Sequence, residues 1–371
     1  MKILMIYDDI SGGGGAERVI CNLSNSFAVD GYDMMVFSLE LRNICPYKYN
    51  PDVKINFIKT KTKPKGFVKI LHEIKRLIMP IKEWNAREKR VHFKSIISQF
   101  NPDFIICHIH FDNNLAQMLH KMRDKTIKVI HCSFDAYEKW NIDLNVYKNI
   151  ALLSAHDRDK FQAKYPNSNF YVIPNFLPSI ADLNTNPAQK VVLSVGRLTD
   201  QKGFLRLIDI WNLVQNGGKF ADWKLKIVGD GELKEQILAK IKELNLEGSV
   251  ELKPFTTQIE KEYLSASIYA MSSHFEGLPM VLIEAASHAL PCVAFDVATG
   301  PSDIIADGAS GYLVADDDLQ EYANKLQILM SDEGLRAQMG AKSKAIARDK
   351  FSKEVVLKQW LELFEKLKKS E

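Results

Sequence analysis

Cysteine is scarce in this 371-residue chain, long apolar runs are missing, and neither sign of charge dominates. Each shortage excludes a class of protein. The five cysteines, Cys21, Cys45, Cys107, Cys132 and Cys292, are odd in number and share none of the paired short spacings of a zinc site or redox dithiol. They predict reduced thiols in a cytoplasmic protein. No stretch approaches the roughly 18 apolar residues of a membrane-spanning helix. Only five apolar residues separate Lys2 from Asp8 and Asp9, too few for a signal-peptide core. Forty-nine Lys and Arg against 46 Asp and Glu leave a formal charge of +3, too small to suggest a nucleic-acid partner from the total. What remains is a globular composition, 46% hydrophobic and 26% charged, in a chain long enough for at least two cores.

The hydrophobic pattern divides the chain in two. Residues 2–7 form a short apolar run, followed by the glycines at 12–15 and an amphipathic segment from Ala16, which together read as strand, turn and helix. Further short apolar runs at 32–39, 104–107, 128–131, 151–154 and 171–173 predict one doubly wound α/β domain over 1–180. The turn-rich stretch 177–189, with Pro178, Asn184, Asn186 and Pro187, reads as a linker. Runs at 191–195, 224–228, 250–252, 268–272 and 292–295 then predict a second α/β domain over 187–352. A last helix follows at 353–369, with Val356, Trp360, Leu363, Phe364 and Leu367 on one face. Two such domains would face each other across a cleft at the carboxyl ends of their sheets, where open α/β sheets bind ligands.

Two familiar phosphate motifs are absent. Counting G-x-G-x-x-G from Gly12 reaches Glu17 and from Gly13 reaches Arg18, and no Lys-Ser or Lys-Thr completes a P-loop. The glycines at 12–15, Gly14 and Gly15 among them, still lead into a helix N-terminus, which suits an anion; a plain tight turn is the alternative. The second half is more specific. Gly196-Arg197-Leu198-Thr199-Asp200-Gln201-Lys202-Gly203 follows a buried strand, so Arg197 and Lys202 can grip a diphosphate, one by a planar fork and one as a point charge. In the run from Ser273 to Ala286, Glu276 lies in the turn before a helix whose first turn suits Pro279. Glu284 falls inside that helix among Leu282, Ile283 and Ala285, and the N–H groups of Gly277, Leu278, Pro279 (which has none) and Met280 flank the same opening. Asp316-Asp317-Asp318 reads as a helix cap in preference to a metal site.

Together with Val228-Gly229-Asp230-Gly231 and Gly300-Pro301-Ser302-Asp303, these motifs resemble the retaining GT-B glycosyltransferases of glycosyltransferase family 4, the group 1 glycosyltransferases, over nearly the whole chain. The resemblance implies two Rossmann-like domains, with the helix at 353–371 packing back on the first. It implies a nucleotide-sugar donor, expected to be a UDP-sugar, and transfer of a hexose or N-acetylhexosamine to a lipid-linked or growing cell-surface glycan. Arg197 and Lys202 would neutralise the leaving diphosphate, Glu276 would meet the donor sugar, and Glu284 the ribose hydroxyls. Gly14 and Gly15 would approach the diphosphate from the first domain, and Phe255 is grouped with the donor-binding residues. The resemblance points to His131 as the acceptor-side histidine, with His108 and His110 as alternatives. No cofactor and no metal are expected. Transfer to a small soluble acceptor such as a sugar phosphate or inositol phosphate, donor binding without turnover, and epimerisation on a related architecture remain alternatives.

The near-neutral total conceals a local imbalance. Residues 59–94 hold twelve Lys or Arg and three Glu, a charge of +9 that leaves about −6 for the rest (3 − 9). Phe67, Ile70, Leu71, Ile74, Leu77, Ile78 and Trp84 alternate with these charges around Pro80. Such an element can lie on an anionic membrane surface, at the cytoplasmic face of the inner membrane, or pack its apolar side on the first domain.

Overall fold

The structure is a computed structural model and describes residues 1–12, 14–41, 43, 45–57, 81–108, 118–139 and 142–369, with 81–90 as backbone only. The described strands form two wholly parallel sheets. The first contains β1 (Lys2–Asp9), β2 (Asp33–Glu40), β3 (Lys54–Phe57), β4 (Phe104–Cys107), β5 (Thr126–Ile130), β6 (Asn149–Leu152) and β7 (Asn169–Val172), in the order β3-β2-β1-β4-β5-β6-β7. The second contains β8 (Val191–Val195), β9 (Lys224–Val228), β10 (Val250–Lys253), β11 (Ile268–Met271), β12 (Cys292–Phe295) and β13 (Gly311–Val314), in the order β10-β9-β8-β11-β12-β13. Both are Rossmann-like, in the GT-B arrangement.

Helices cover both faces, so central strands are buried on both sides; β4 and β11 are buried at every position and read as unbroken apolar runs. Two strands escaped the sequence reading for the converse reason. β3 is a partly exposed edge strand, Lys-Ile-Asn-Phe, and β13, at the edge of the second sheet, opens on a glycine and has only four residues.

In each sheet the order reverses at one strand. β1 pairs with both β2 and β4, and β8 with both β9 and β11. The segments leaving β1 and β4, and those leaving β8 and β11, must diverge to opposite faces, which opens a crevice at each carboxyl edge. The glycine loop into α1 (Gly15–Val29) leaves β1 and His108 follows β4, while Arg197 follows β8 and Glu276 lies beyond β11.

The remaining α-helices among the described residues are α2 (Ile81–Phe100), α3 (Phe134–Glu138), α4 (Arg158–Lys164), α5 (Phe204–Gln215), α6 (Lys234–Glu243), α7 (Ile259–Leu264), α8 (Met280–Ser287), α9 (Pro301–Ile304), α10 (Leu319–Ser331), α11 (Glu333–Phe351) and α12 (Lys353–Lys368). Ser352 is extended, which ends α11 and redirects the chain into α12. The buried stripe of α12 lies on the first domain: Phe364 stacks on Phe104 of β4 with ring centres 4.6 Å apart and also meets Phe27 of α1. The connection between β7 and β8 is strapped to α11, where Lys344 Nζ donates to the Ala181 carbonyl and to Asn184 Oδ1, both at 2.6 Å, and Arg336 Nε to the Pro187 carbonyl at 2.8 Å.

Of the basic stretch 59–94, residues 59–80 lie outside the described residues. Beyond them, Phe93, Ile96 and Phe100 of α2 are buried, Phe93 stacking on Phe37 of β2 at 5.7 Å. Among the described residues, no helix is long and apolar enough to cross a membrane.

Candidate active site

Two loops of the second domain build the charged floor of the cleft. The loop after β8 buries Leu198, which anchors it and leaves Arg197 exposed. It then makes a short turn, Asp200–Lys202, closed by Gly203 at φ 62°. A side chain on Gly203 would be strained there and would overlap the carbonyl of Ser272, so glycine is required at this close approach. The loop after β11 runs alongside. Ser272 Oγ donates to the Lys202 carbonyl at 3.0 Å, the His274 N–H to the Gln201 carbonyl at 2.8 Å, and Gln201 Nε2 to the Phe275 carbonyl at 3.1 Å. This zipper brings Lys202 Nζ to 2.6 Å from Glu276 Oε1, with both side chains largely buried.

Arg206 of α5, itself buried, fastens the second loop from behind. Its Nε donates to the Ser272 carbonyl at 2.6 Å and its Nη2 to the Ser273 carbonyl, while Nη1 meets Asp316 at 2.8 Å and Asp317 at 2.7 Å. The acidic triplet is thereby corrected in part. Asp318 caps α10, accepting from the Glu321 N–H at 2.9 Å, but Asp316 and Asp317 are the counter-ions of a buried arginine.

Helix α8 explains why a glutamate sits among apolar residues. Met280, Leu282, Ile283, Ala285 and Ala286 are buried, whereas Val281 and Glu284, one turn apart, are the half-buried face that lines the cleft. Pro279 stands at the N-cap, one place before the expected first turn. Glu284 is held from two directions: Tyr263 of α7 donates to Oε2 at 2.8 Å, and Arg18 of α1 forms an ion pair with Oε1 across the cleft. Burial, and the Glu284 charge after it, push the Tyr263 hydroxyl well above its ordinary range, so it stays a donor.

The first domain supplies the opposite wall. Tyr47 donates to the Gly14 carbonyl at 3.0 Å, and the Tyr7 hydroxyl to Glu17 at 3.2 Å, which fixes the start of α1. At the ends of β4 and β5, His108 Nδ1 and His131 Nε2 are 2.8 Å apart in a hydrogen bond in which one ring must donate and the other accept. Burial, then His131, then the buried Lys128 depress His108 well below the usual histidine range, so it remains neutral. His110 lies outside the described residues.

The walls enclose a cleft of about 710 Å3. Arg197, Lys202, Glu276, Glu284, His131, Gly14, Gly15, Phe255 and the run Gly277, Leu278, Pro279, Met280 all line it. His108 does not; it lies behind His131, its partner. Arg18, Tyr47 and Gln201 also line the cleft but were not among the residues chosen from sequence. No short motif contains Tyr263, Tyr47 or Arg206. Among the described residues, no group of three or more His, Cys, Asp or Glu is placed to hold a metal ion.

Comparison with known proteins gives this geometry relatives. The family described as "Glycosyl transferases group 1" matches residues 178–346. An amylovoran biosynthesis glycosyltransferase, AmsD, of Erwinia amylovora is 33% identical over 97% of this chain and 98% of its own. An N-acetylgalactosaminyltransferase of Campylobacter jejuni, named for a diphospho-undecaprenol-linked N-acetylgalactosamine acceptor, is 28% identical over 94% of this chain and 95% of its own. Among solved structures, a point mutant of Staphylococcus aureus TarM, in complex with fondaparinux, α-GlcNAc-glycerol and UDP, superposes with a TM-score of 0.75 at 19% identity, over 98% of this chain and 99% of that one.

Proposed function

This chain belongs to the group 1 glycosyltransferases and is a hexosyltransferase, and from that premise we propose that it moves a hexose or N-acetylhexosamine from a UDP-sugar, with retention, to a lipid-linked or growing cell-surface glycan. The observation that carries the proposal is the convergence of Arg197, Lys202, Glu276 and Glu284 on one cleft between the two sheets. Each residue type answers a need of that reaction. As the bond from the anomeric carbon to the diphosphate stretches, negative charge grows on the leaving oxygens while the sugar becomes cation-like. Arg197 and Lys202 stabilise the first charge; Glu276, paired with Lys202, orients the sugar and favours the second.

Glu284 takes the ribose hydroxyls and Phe255, exposed at the rim, takes the base. The acceptor hydroxyl attacks on the face that the diphosphate leaves, forming the new bond to the anomeric carbon and passing its proton to the departing phosphate oxygen. No protein nucleophile is then needed, and in this reading no metal. His131 borders the acceptor side and orients the attacking hydroxyl. The carbohydrate acceptor is supported by the amylovoran and undecaprenol-linked functions in the names of full-length relatives. The +9 stretch at 59–94 supports a peripheral position on an anionic membrane at its cytoplasmic face, where a lipid-linked acceptor would be presented.

Two measurements test this. A thermal-shift screen of nucleotide sugars should single out UDP-sugars, because a specific donor stabilises the fold by mass action. Product analysis with that donor and an undecaprenyl-diphosphate-linked glycan should show an α-linked extension from an α-linked donor. Transfer to a sugar phosphate but to no lipid-linked glycan would overturn the acceptor assignment, and donor binding with no transfer or hydrolysis would overturn turnover. Sedimentation with liposomes should require anionic lipid and weaken with salt.

A further inference from the structure

The ion pair between Arg18 and Glu284 joins the two domains at the position assigned above to the ribose. Arg18 lies one turn into α1, its N–H donating to the Gly14 carbonyl at 3.3 Å, so its main chain is anchored beside the glycine loop. Glu284 is fixed on its other side by Tyr263. Both charged side chains line the cleft and retain partial access to it, 29% for Arg18 and 12% for Glu284.

We propose that Arg18 is a donor-binding residue that exchanges partners: it pairs with Glu284 in the empty cleft, yields that carboxylate to the ribose hydroxyls, and moves its guanidinium to the diphosphate. The inference rests on the assignment of Glu284 to the ribose. A pair of vicinal hydroxyls engages both oxygens of a carboxylate; Tyr263 leaves Oε2 a second lone pair to share, whereas the Arg18 guanidinium, in contact with Oε1 and itself lining the cleft, occupies the approach that the ribose needs. A guanidinium displaced from its carboxylate needs another anion, and a planar fork matches phosphate oxygens. The diphosphate would be brought by the same ligand into the cleft that Arg18 shares with Arg197 and Lys202. Donor entry thus costs one ion pair and creates another, so Arg18 discriminates a nucleoside diphosphate from the bare nucleoside.

This exchange predicts effects of opposite sign, which a simple domain latch does not. The probe pair is whichever of uridine and UDP, adenosine and ADP, or guanosine and GDP the wild type binds. By calorimetry, Arg18→Ala should bind the nucleoside about threefold to tenfold more tightly, and the nucleoside diphosphate about tenfold more weakly. Arg18→Lys, which keeps the charge without the fork, should also gain nucleoside affinity but retain most of the diphosphate affinity, and it serves should the alanine variant fold poorly. Equal weakening of both ligands, or no change in either, overturns the exchange. Glu284→Gln separates the two assignments: unchanged nucleoside affinity there overturns the ribose assignment itself, whereas a loss there without the opposite-sign response at Arg18 overturns the Arg18 proposal alone.

Discussion

The α-carbon of Gly277, at the floor of the second domain, lies against the carbonyl oxygen of His131 at the end of β5 in the first, so closely that a Cβ on Gly277 would overlap it. The domains therefore meet backbone to backbone between the histidine wall and the glutamate loop. Gly277→Ala should hold them apart and displace Glu276, the preceding residue. We expect kcat/KM for the donor to fall by about 10²-fold, the scale of an ångström-sized misplacement of reacting groups, with little change in the unfolding midpoint of the second domain. Steady-state kinetics and a denaturation curve check both halves.

Lys202 and Glu276 act as a unit because one carboxylate oxygen holds the ammonium at 2.6 Å. Lys202→Ala should lower kcat by about 10²-fold to 10³-fold, the typical loss when a preorganised charge at a developing anion is removed. Glu276→Gln alone should lower it as well, and the double variant should lose much less than the sum of the two free-energy changes, since each single change already spoils the pair. A double-mutant cycle on kcat measures the coupling; strict additivity would separate the two roles.

His108 makes folding pH-sensitive in a known direction. Its pKa lies well below the ordinary 6.5 through burial and through His131 and Lys128, so on acidification the unfolded chain takes up a proton that the native protein refuses. Native stability contributed by this group is complete above about pH 6.5 and falls below it by up to about 1.4 kcal/mol per pH unit until the native pKa is reached. His108→Gln should flatten the dependence of Tm on pH between 6.5 and 5, and leave Tm at pH 8 less affected in its slope.

Arg206 supports Glu276 without lining the cleft. Three of its nitrogens hold two carbonyls and two carboxylates, and its guanidinium lies 4.0 Å from the centre of the Phe295 ring. Arg206→Lys keeps the charge but cannot reproduce the fork. We expect kcat to fall about tenfold through displacement of the Ser272–Ser273 backbone, while Asp316→Asn, removing one of two counter-ions, should have a smaller effect. Near-wild-type kcat in Arg206→Lys would show that the charge suffices.

The sequence by itself determined the architecture and most of the residues that line the cleft. Central parallel strands are largely apolar on both faces, so β4, β8 and β12 were legible to their end residues, and a loop leaving a buried strand must emerge at the carboxyl edge, which placed Arg197, Lys202 and Glu276. The family resemblance then rested on the spacing of these same residues, a local property of the chain. Edge strand β3 lacked the apolar signal because it is incompletely covered, and β13, Gly-Tyr-Leu-Val, is short and opens on a glycine.

Only the tertiary structure decided the partners. Tyr263 reaches Glu284 from 21 residues away, Arg206 meets Asp316 and Asp317 from more than a hundred, and Arg18 crosses from the other domain. It also decided that His108 stands behind His131, and that Asp316 and Asp317 answer a buried cation. Hydrophobic periodicity records which face of an element is buried, since that is a sum over many weak contacts repeated along the chain. A hydrogen bond or ion pair depends on the meeting of two particular atoms, and the relative placement of separate elements, which sets that meeting, is written in no single stretch of sequence.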